Sequence, residues 1–268
     1  MQQTHPWKQH TDALLPVITQ PHFGVISDFD GTLSPFVGEP QSAAILPACA
    51  AALDALRERG VPLALVSGRA VLDLQPRFPR PGVIYYGNHG MDYWHEGKAR
   101  IAEAAEVWEA PLQLLLAQLG EPLIPGVTVE NKQVTASVHY RAAVNPAQAR
   151  LALQEILLPL CQRFGFRLSE DLYVWEIKPP VALDKGTALT AIIKAQGLES
   201  VLFLGDDLTD FAAMQQLRRL RAESIVRGLS IGVIHPTSPP ELFDLSDLTT
   251  NNVDDTALLL QWIAQQLP

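Results

Sequence analysis

Solid apolar runs that close on an acid or a small polar residue occur at both ends of the chain, and alternating runs fill its middle. FGVISD (23–28) is an apolar run ending in a carboxylate, the pattern of a strand buried on both faces. Leu46, Ala50, Leu53 and Leu56 recur at helical spacing, and Gly60 ends that helix. VPLALV (61–66) and VIYYG (83–87) predict two further buried strands, the first followed by Ser67-Gly68-Arg69 and a short helix. Past residue 92 the rhythm changes. MDYWHEGKARI reads as strand and turn, AEVWEAPLQLLLAQLG as a helix, and GVTVENKQ and TASVHYRA as alternating strands. A long helix opens at Asn145-Pro146, where Pro suits the first helical position. FRLSE and LYVWEIKP are strands again.

The parallel rhythm then resumes. A helix runs from Lys185 to about Lys194, SVLFLGDD (200–207) is a strand ending in acid, SIGVI (230–234) is another, and NVDDTALLLQWIAQQL is an amphipathic closing helix. The expected fold class is therefore α/β: a Rossmann-like core with a parallel sheet, residues 1–92 and 179–268, carrying an inserted α/β domain at 93–178. The alternation in the insert predicts an antiparallel sheet with one open face.

Composition narrows the partners. Of 268 residues, 20 are Lys or Arg and 29 Asp or Glu, a formal charge of −9 with no basic run. Such a chain repels nucleic acid and anionic membrane, so neither is expected as a partner. A phosphorylated substrate would need locally concentrated positive charge or a metal. Cys49 and Cys161 sit in apolar helical stretches and form no CxxC pair, which predicts reduced packing residues. Residues 1–16 lack the apolar core of a secretory signal. No apolar run reaches the ~18 residues that span a bilayer. A cytoplasmic monomer is expected.

Four constellations carry chemistry. Asp28-Phe29-Asp30-Gly31-Thr32 follows a strand, where ligands bind in open α/β sheets. Two carboxylates so placed suit an oxygen-seeking cation such as magnesium. Asp28 is then a candidate nucleophile and metal ligand, and Asp30 a proton donor to the leaving alcohol. Ser67 ends the second strand, where its hydroxyl can hold a phosphoryl oxygen or cap a helix. Lys185 opens a helix, where the dipole disfavours a cation, so it is expected to answer a local anion. Gly205-Asp206-Asp207-Leu208-Thr209-Asp210 clusters carboxylates at another strand end. Asp206 is the foremost metal ligand there; Asp207 and Asp210 are left as ligands, water-mediated ligands or partners of Lys185.

In that order, DFDGTL, Ser67, Lys185 and GDDLTD resemble the four motifs of the haloacid dehalogenase superfamily. The resemblance implies phosphorylation of Asp28. It also implies magnesium held by Asp28, the backbone carbonyl of Asp30 and a motif-four Asp, and an α/β cap as the insert. Gly87-Asn88-His89-Gly90, Val129-Glu130-Asn131-Lys132, His139-Tyr140-Arg141, Trp175-Glu176-Ile177-Lys178-Pro179 and Asp184-Lys185-Gly186-Thr187 narrow it to the trehalose-6-phosphate phosphatase family. That resemblance implies a trehalose 6-phosphate hydrolase with Asp28, Asp30, Ser67 and Lys185 catalytic. Substrate contacts fall to Arg69, Asn88, His89, Gly90, Glu130, Lys132 and Glu176. Sucrose phosphate and mannosyl-3-phosphoglycerate are rival substrates. A receiver-type signalling domain is the rival from another class, disfavoured because its acidic pair and acceptor Asp sit on separate strands. For Glu130 and Lys132 the bland reading is a solvated pair on one strand face, and for His139 a structural histidine.

Overall fold

A computed structural model describes residues 5–37, 40–121, 124–236 and 238–268. The chain divides into two compact units, Met1–Lys98 with Leu183–Pro268, and Ala99–Ala182.

In the first unit the anticipated apolar runs form β1 (Phe23–Ser27), β2 (Leu63–Val66) and β3 (Ile84–Gly87). A hairpin, β4 (Asp92–His95) and β5 (Lys98–Ile101), continues the sheet beyond β3, with β4 antiparallel to it. The sequence places the start of the insert at 93, yet β4 extends the large sheet, and the units divide a little later. Helices α1 (Thr11–Ile18), α2 (Pro47–Glu58) and α3 (Val71–Leu74) belong to this half.

The second unit contains α4 (Glu103–Glu106) and α5 (Glu109–Leu119), then β6 (Thr128–Asn131), β7 (Ala136–His139), α6 (Pro146–Phe164), β8 (Arg167–Asp171) and β9 (Val174–Lys178). The chain then returns to the first unit with α7 (Lys185–Gln196), β10 (Ser200–Gly205), α8 (Phe211–Ala222), β11 (Arg227–Val233), α9 (Glu241–Leu245), β12 (Leu248–Thr250) and α10 (Val253–Gln266).

The large sheet has the order β12-β11-β10-β1-β2-β3-β4-β5 and is parallel from β12 to β3. Its strands are solid apolar runs because both faces are covered. Ile26, Ala64, Val66, Val201 and Phe203 pack with Leu189, Ile192, Met214 and Leu217 of α7 and α8. The intervening Val25, Leu65, Leu202 and Leu204 are equally buried and, by strand alternation, face the opposite layer. The order reverses at β1, which lies between β2 and β10, so their carboxyl ends open the crevice where ligands bind such sheets.

The smaller sheet, β6-β7-β9-β8, is antiparallel throughout. Ala136, Val138, Trp175 and Ile177 pack against Leu112, Leu115, Leu153 and Leu157 of α5 and α6. That leaves the alternate positions, Glu130, Ser137 and Glu176, in one row on the other face. Asn145 caps α6 by accepting from the Gln148 N–H at 3.1 Å. The architecture is thus the α/β class read from the sequence, a mainly parallel sheet plus a separate antiparallel one. Among the described residues no helix is long and apolar enough to cross a membrane.

Gly205, the last residue of β10, is where the fold admits the site. A Cβ there would lie 2.3 Å from Cγ of the buried Asp210. Overpacking of this kind typically costs about 1–3 kcal/mol. Gly205→Ala is expected to lower the unfolding free energy by that amount in chemical denaturation and to abolish activity. Wild-type stability with full activity would contradict the close-packed reading.

Candidate active site

Asp28 follows β1 directly and is buried, with its backbone N–H donating to the Leu204 carbonyl of β10 at 2.9 Å. Lys185 is the first residue of α7. A capping box fixes that terminus: the Thr187 N–H donates to Asp184 Oδ1 at 2.8 Å, and the Thr187 hydroxyl accepts from the Asp184 N–H at 2.9 Å. The Lys185 side chain is 2% exposed, and its Nζ donates to Asp28 Oδ1 at 2.6 Å and to Asp210 Oδ1 at 2.8 Å. The misplaced helix-opening lysine thus answers two buried carboxylates.

The loop after β10 supplies the rest. Asp207 caps the turn at 208–210 by accepting from the Thr209 N–H and hydroxyl, at 2.8 and 2.7 Å. Asp210 Oδ2 accepts from the N–H groups of Asp206 and Asp207, at 2.9 and 3.2 Å. Both oxygens of Asp210 are therefore committed within the protein. Asp206 Oδ1 accepts from the Thr32 hydroxyl at 2.9 Å.

One ammonium among several buried carboxylates leaves a surplus of negative charge. Burial, reinforced by neighbouring acids, holds Asp28 and Asp206 well above the usual carboxylate range. Burial does the same to Asp210, where Asp28 and Asp207 add to it against the pull of Lys185. Burial alone would depress Lys185, but Asp210, Asp28 and Asp207 outweigh it and hold the ammonium well above its ordinary value. Carboxylate oxygens of Asp28, Asp206 and Asp210 lie within 4.8 Å of one another. An all-oxygen donor set short of positive charge fits a hard divalent cation. With Asp210 committed elsewhere, Asp28 and Asp206 are the side chains that could hold it.

Asp30 points to a different partner. Arg69 Nε donates to Asp30 Oδ2 and Nη2 to Oδ1, each at 2.6 Å. The arginine assigned to substrate by resemblance thus holds the carboxylate of Asp30. Ser67, just after β2, is buried, and its hydroxyl accepts from the Arg69 N–H at 3.2 Å. The Gly-Asn-His-Gly turn packs on this segment: the Asn88 N–H donates to the Arg69 carbonyl at 2.7 Å and the His89 N–H to that of Ser67 at 2.9 Å. Asn88, His89 and Gly90 have φ of 48°, 57° and 100°, three successive left-handed residues of the kind found at functional turns. Asp92 fixes the turn by accepting from the Asn88 amide at 2.9 Å.

In the second unit Glu130, Lys132 and Glu176 come together. Lys132 Nζ lies 3.9 Å from Glu130 Oε2 and 3.9 Å from Glu176 Oε1. Ser137 donates to Glu176 Oε1 at 2.6 Å, and His139 Nε2 lies 3.1 Å from Glu130 Oε2. Lys132 is nearly buried, whereas the Glu130 side chain is 42% exposed. His139 belongs to this cluster rather than to the packed face.

The sequence reading did not single out Thr32, Asp73, Arg77, Asp92 or His235. His235 Nε2 contacts the Gly31 carbonyl, which can only accept, so that nitrogen carries the proton. No motif spacing marks these residues; only Thr32, inside DFDGTL, carried a signal.

Residues 26–239 match the family model described as Trehalose-phosphatase. The trehalose-phosphate phosphatase of Mycobacterium marinum is 35% identical over 204 residues, covering 72% of this chain and 51% of its own length. The chain thus spans about half the length of the curated relatives it matches. Among solved structures, the C-terminal domain of Candida albicans trehalose-6-phosphate phosphatase superposes with a TM-score of 0.76 at 18% identity, over 97% of this chain and 98% of that one. A haloacid dehalogenase-like hydrolase from Bacteroides thetaiotaomicron gives 0.63 at 16% identity, over 91% and 100%. At these identities the structural likeness establishes the fold.

The charge surplus has opposite consequences for its members. Lys185→Met leaves buried carboxylates uncompensated and is expected to destabilise chelator-treated protein by about 3–5 kcal/mol. A carboxylate whose folded pKa is raised opposes folding once pH exceeds its unfolded value, so near pH 7 its neutral isostere is favoured. Asp206→Asn is therefore expected to stabilise the chelator-treated protein and to remove any stabilisation by divalent cation. Denaturant titrations with and without cation check both; destabilisation by Asp206→Asn would contradict the surplus.

Proposed function

The chain belongs to the trehalose-phosphatase family, and we propose that it hydrolyses trehalose 6-phosphate to trehalose and phosphate through an aspartyl-phosphate on Asp28, with magnesium as cofactor. The observation that carries this reading is the buried Asp28 with Oδ1 fixed by Lys185, which leaves Oδ2 as the attacking oxygen. Asp28 Oδ2 forms a bond to phosphorus as the bond from phosphorus to the sugar oxygen breaks, and Asp30 delivers a proton to that oxygen. Asp30 then takes a proton from water as the water oxygen attacks the phosphoryl group, releasing phosphate and regenerating Asp28. Ser67 and Lys185 hold the phosphoryl oxygens as charge shifts. Asp28 and Asp206, with the Asp30 carbonyl, would hold magnesium. When bound, the ion offsets the negative charge of carboxylates and phosphate.

Sugar selectivity is assigned to Glu130, Lys132 and Glu176, with Asn88, His89 and Gly90 as further contacts. Hydroxyl groups are read by fixed charged donors and acceptors, and the Glu130–Lys132–Glu176 cluster supplies both kinds. Phosphate release from a panel of trehalose 6-phosphate, sucrose phosphate and mannosyl-3-phosphoglycerate tests the reading. The first is expected to be preferred, and a stronger preference for either of the others would reassign the substrate.

Two variants separate chemistry from recognition. Asp28→Asn is expected to lower turnover by several orders of magnitude on every ester, and exhaustive metal removal to do likewise. Retention of a tenth of wild-type turnover by the variant would exclude Asp28 as nucleophile. Glu130→Ala removes one charged partner from a hydrogen bond, typically worth about 1.5–3 kcal/mol. It should lower kcat/KM for trehalose 6-phosphate roughly ten- to a hundredfold and spare nitrophenyl phosphate, which has no sugar to read. Parallel losses on both substrates would make Glu130 a support of its own sheet.

A further inference from the structure

We propose that Asp73 is a positioning residue for the reaction, fixing through Arg69 the carboxylate of Asp30. The inference rests on the reading of Asp30 as proton carrier. Arg69 grips Asp30 with the edge formed by Nε and Nη2, and its remaining Nη1 donates to Asp73 Oδ2 at 2.7 Å. Asp73 lies on α3, one helical turn beyond Arg69. It is held in turn by Arg77, whose Nη2 donates to Asp73 Oδ1 at 2.7 Å and whose Nε donates to Oδ2 at 3.2 Å. Arg77 Nη1 continues to the carbonyls of Ala43 and Gln41. The result is a relay of alternating charge, Asp30–Arg69–Asp73–Arg77, whose far end is tied to backbone.

The geometry of the guanidinium gives the relay a purpose. A fork held along one edge can still tilt about that edge, and an anchor on the third nitrogen fixes its plane. The Arg69 and Arg77 side chains are 13% and 12% exposed, so both are confined, whereas Asp73 is 38% exposed and carries little of the core. The competing reading is a pair of helix-surface ion pairs spaced i,i+4, each contributing only a few tenths of a kcal/mol and indifferent to chemistry. A proton carrier misplaced by about 1 Å, in contrast, loses up to ~100-fold in rate.

Leaving-group dependence separates the two readings. Asp73→Asn, Asp30→Asn and the double variant are assayed on trehalose 6-phosphate, whose leaving alkoxide needs a proton, and on nitrophenyl phosphate, whose leaving group does not. Asp73→Asn is expected to lower the single-turnover rate of sugar release about tenfold at a nearly constant half-saturating concentration, and to change that of nitrophenol release less than about twofold. Both rates precede hydrolysis of the aspartyl-phosphate, in which Asp30 serves either ester alike. Asp73→Glu should recover part of the loss. The double variant should be no slower on the sugar ester than Asp30→Asn alone, because the two act as one unit. Equal losses on both esters, or additive losses in the double variant, would overturn the positioning role while Asp30→Asn still discriminated between esters. If Asp30→Asn itself fails to discriminate, the reading of Asp30 falls, and this inference with it.

Discussion

The ammonium of Lys185, desolvated between Asp28 and Asp210, is the contact on which the rest of the site depends. A lone buried charge is too costly to retain, so each of these groups can be buried only because the others are. Their meeting requires three separate stretches of chain: the end of β1, the start of α7 and the loop after β10. The parallel sheet satisfies that requirement. With β1 next to β10, and α7 packed against the same face, the three termini converge at the carboxyl ends of the strands. The remaining negative surplus explains why the same constellation suits a divalent cation: the fold concentrates more carboxylate than its lysine can neutralise.

Much of this was legible in the sequence, for identifiable reasons. Strands covered on both faces read as solid apolar runs, so β1, β2 and β10 announced themselves together with the acids at their ends. Lys185 was legible because a cation at a helix N-terminus defies the dipole and calls for a local reason. The alternation of β7 and β9 likewise disclosed a second, antiparallel sheet. Other features were not legible. Arg69 stands in a recognisable Ser-Gly-Arg, but nothing in its spacing says that its guanidinium lies on Asp30 rather than on a substrate. Asp73 and Arg77 look like ordinary i,i+4 charges on a helix surface until the partners of Arg69 are known. His139 alternates with the core-facing Val138 on β7, which sets it on the open face but names no partner, and only the pairing of β6 with β7 brings it to Glu130. The role of Asp210 was ambiguous among three neighbouring acids because Oδ1 is committed to Lys185, distant in sequence, and Oδ2 to backbone N–H groups.

The two units differ in the kind of charge they present. In the first, charge is buried and crowded around Asp28 and Lys185. In the second, Lys132 lies between Glu130 of β6 and Glu176 of β9, with Ser137 donating to Glu176 and His139 beside Glu130.

The central claim is that Asp28 carries the phosphoryl group, and the direct test is to capture it. Protein mixed with excess trehalose 6-phosphate and magnesium is quenched in acid on the time scale of one turnover, treated with borohydride and digested. The account predicts that the peptide containing Asp28 bears a phosphoryl group before reduction, and homoserine at that position after it. The label should be absent from Asp28→Asn. Rapid phosphate release with Asp28 unmodified at every quench time, or a phosphoryl group found on another residue, would contradict it.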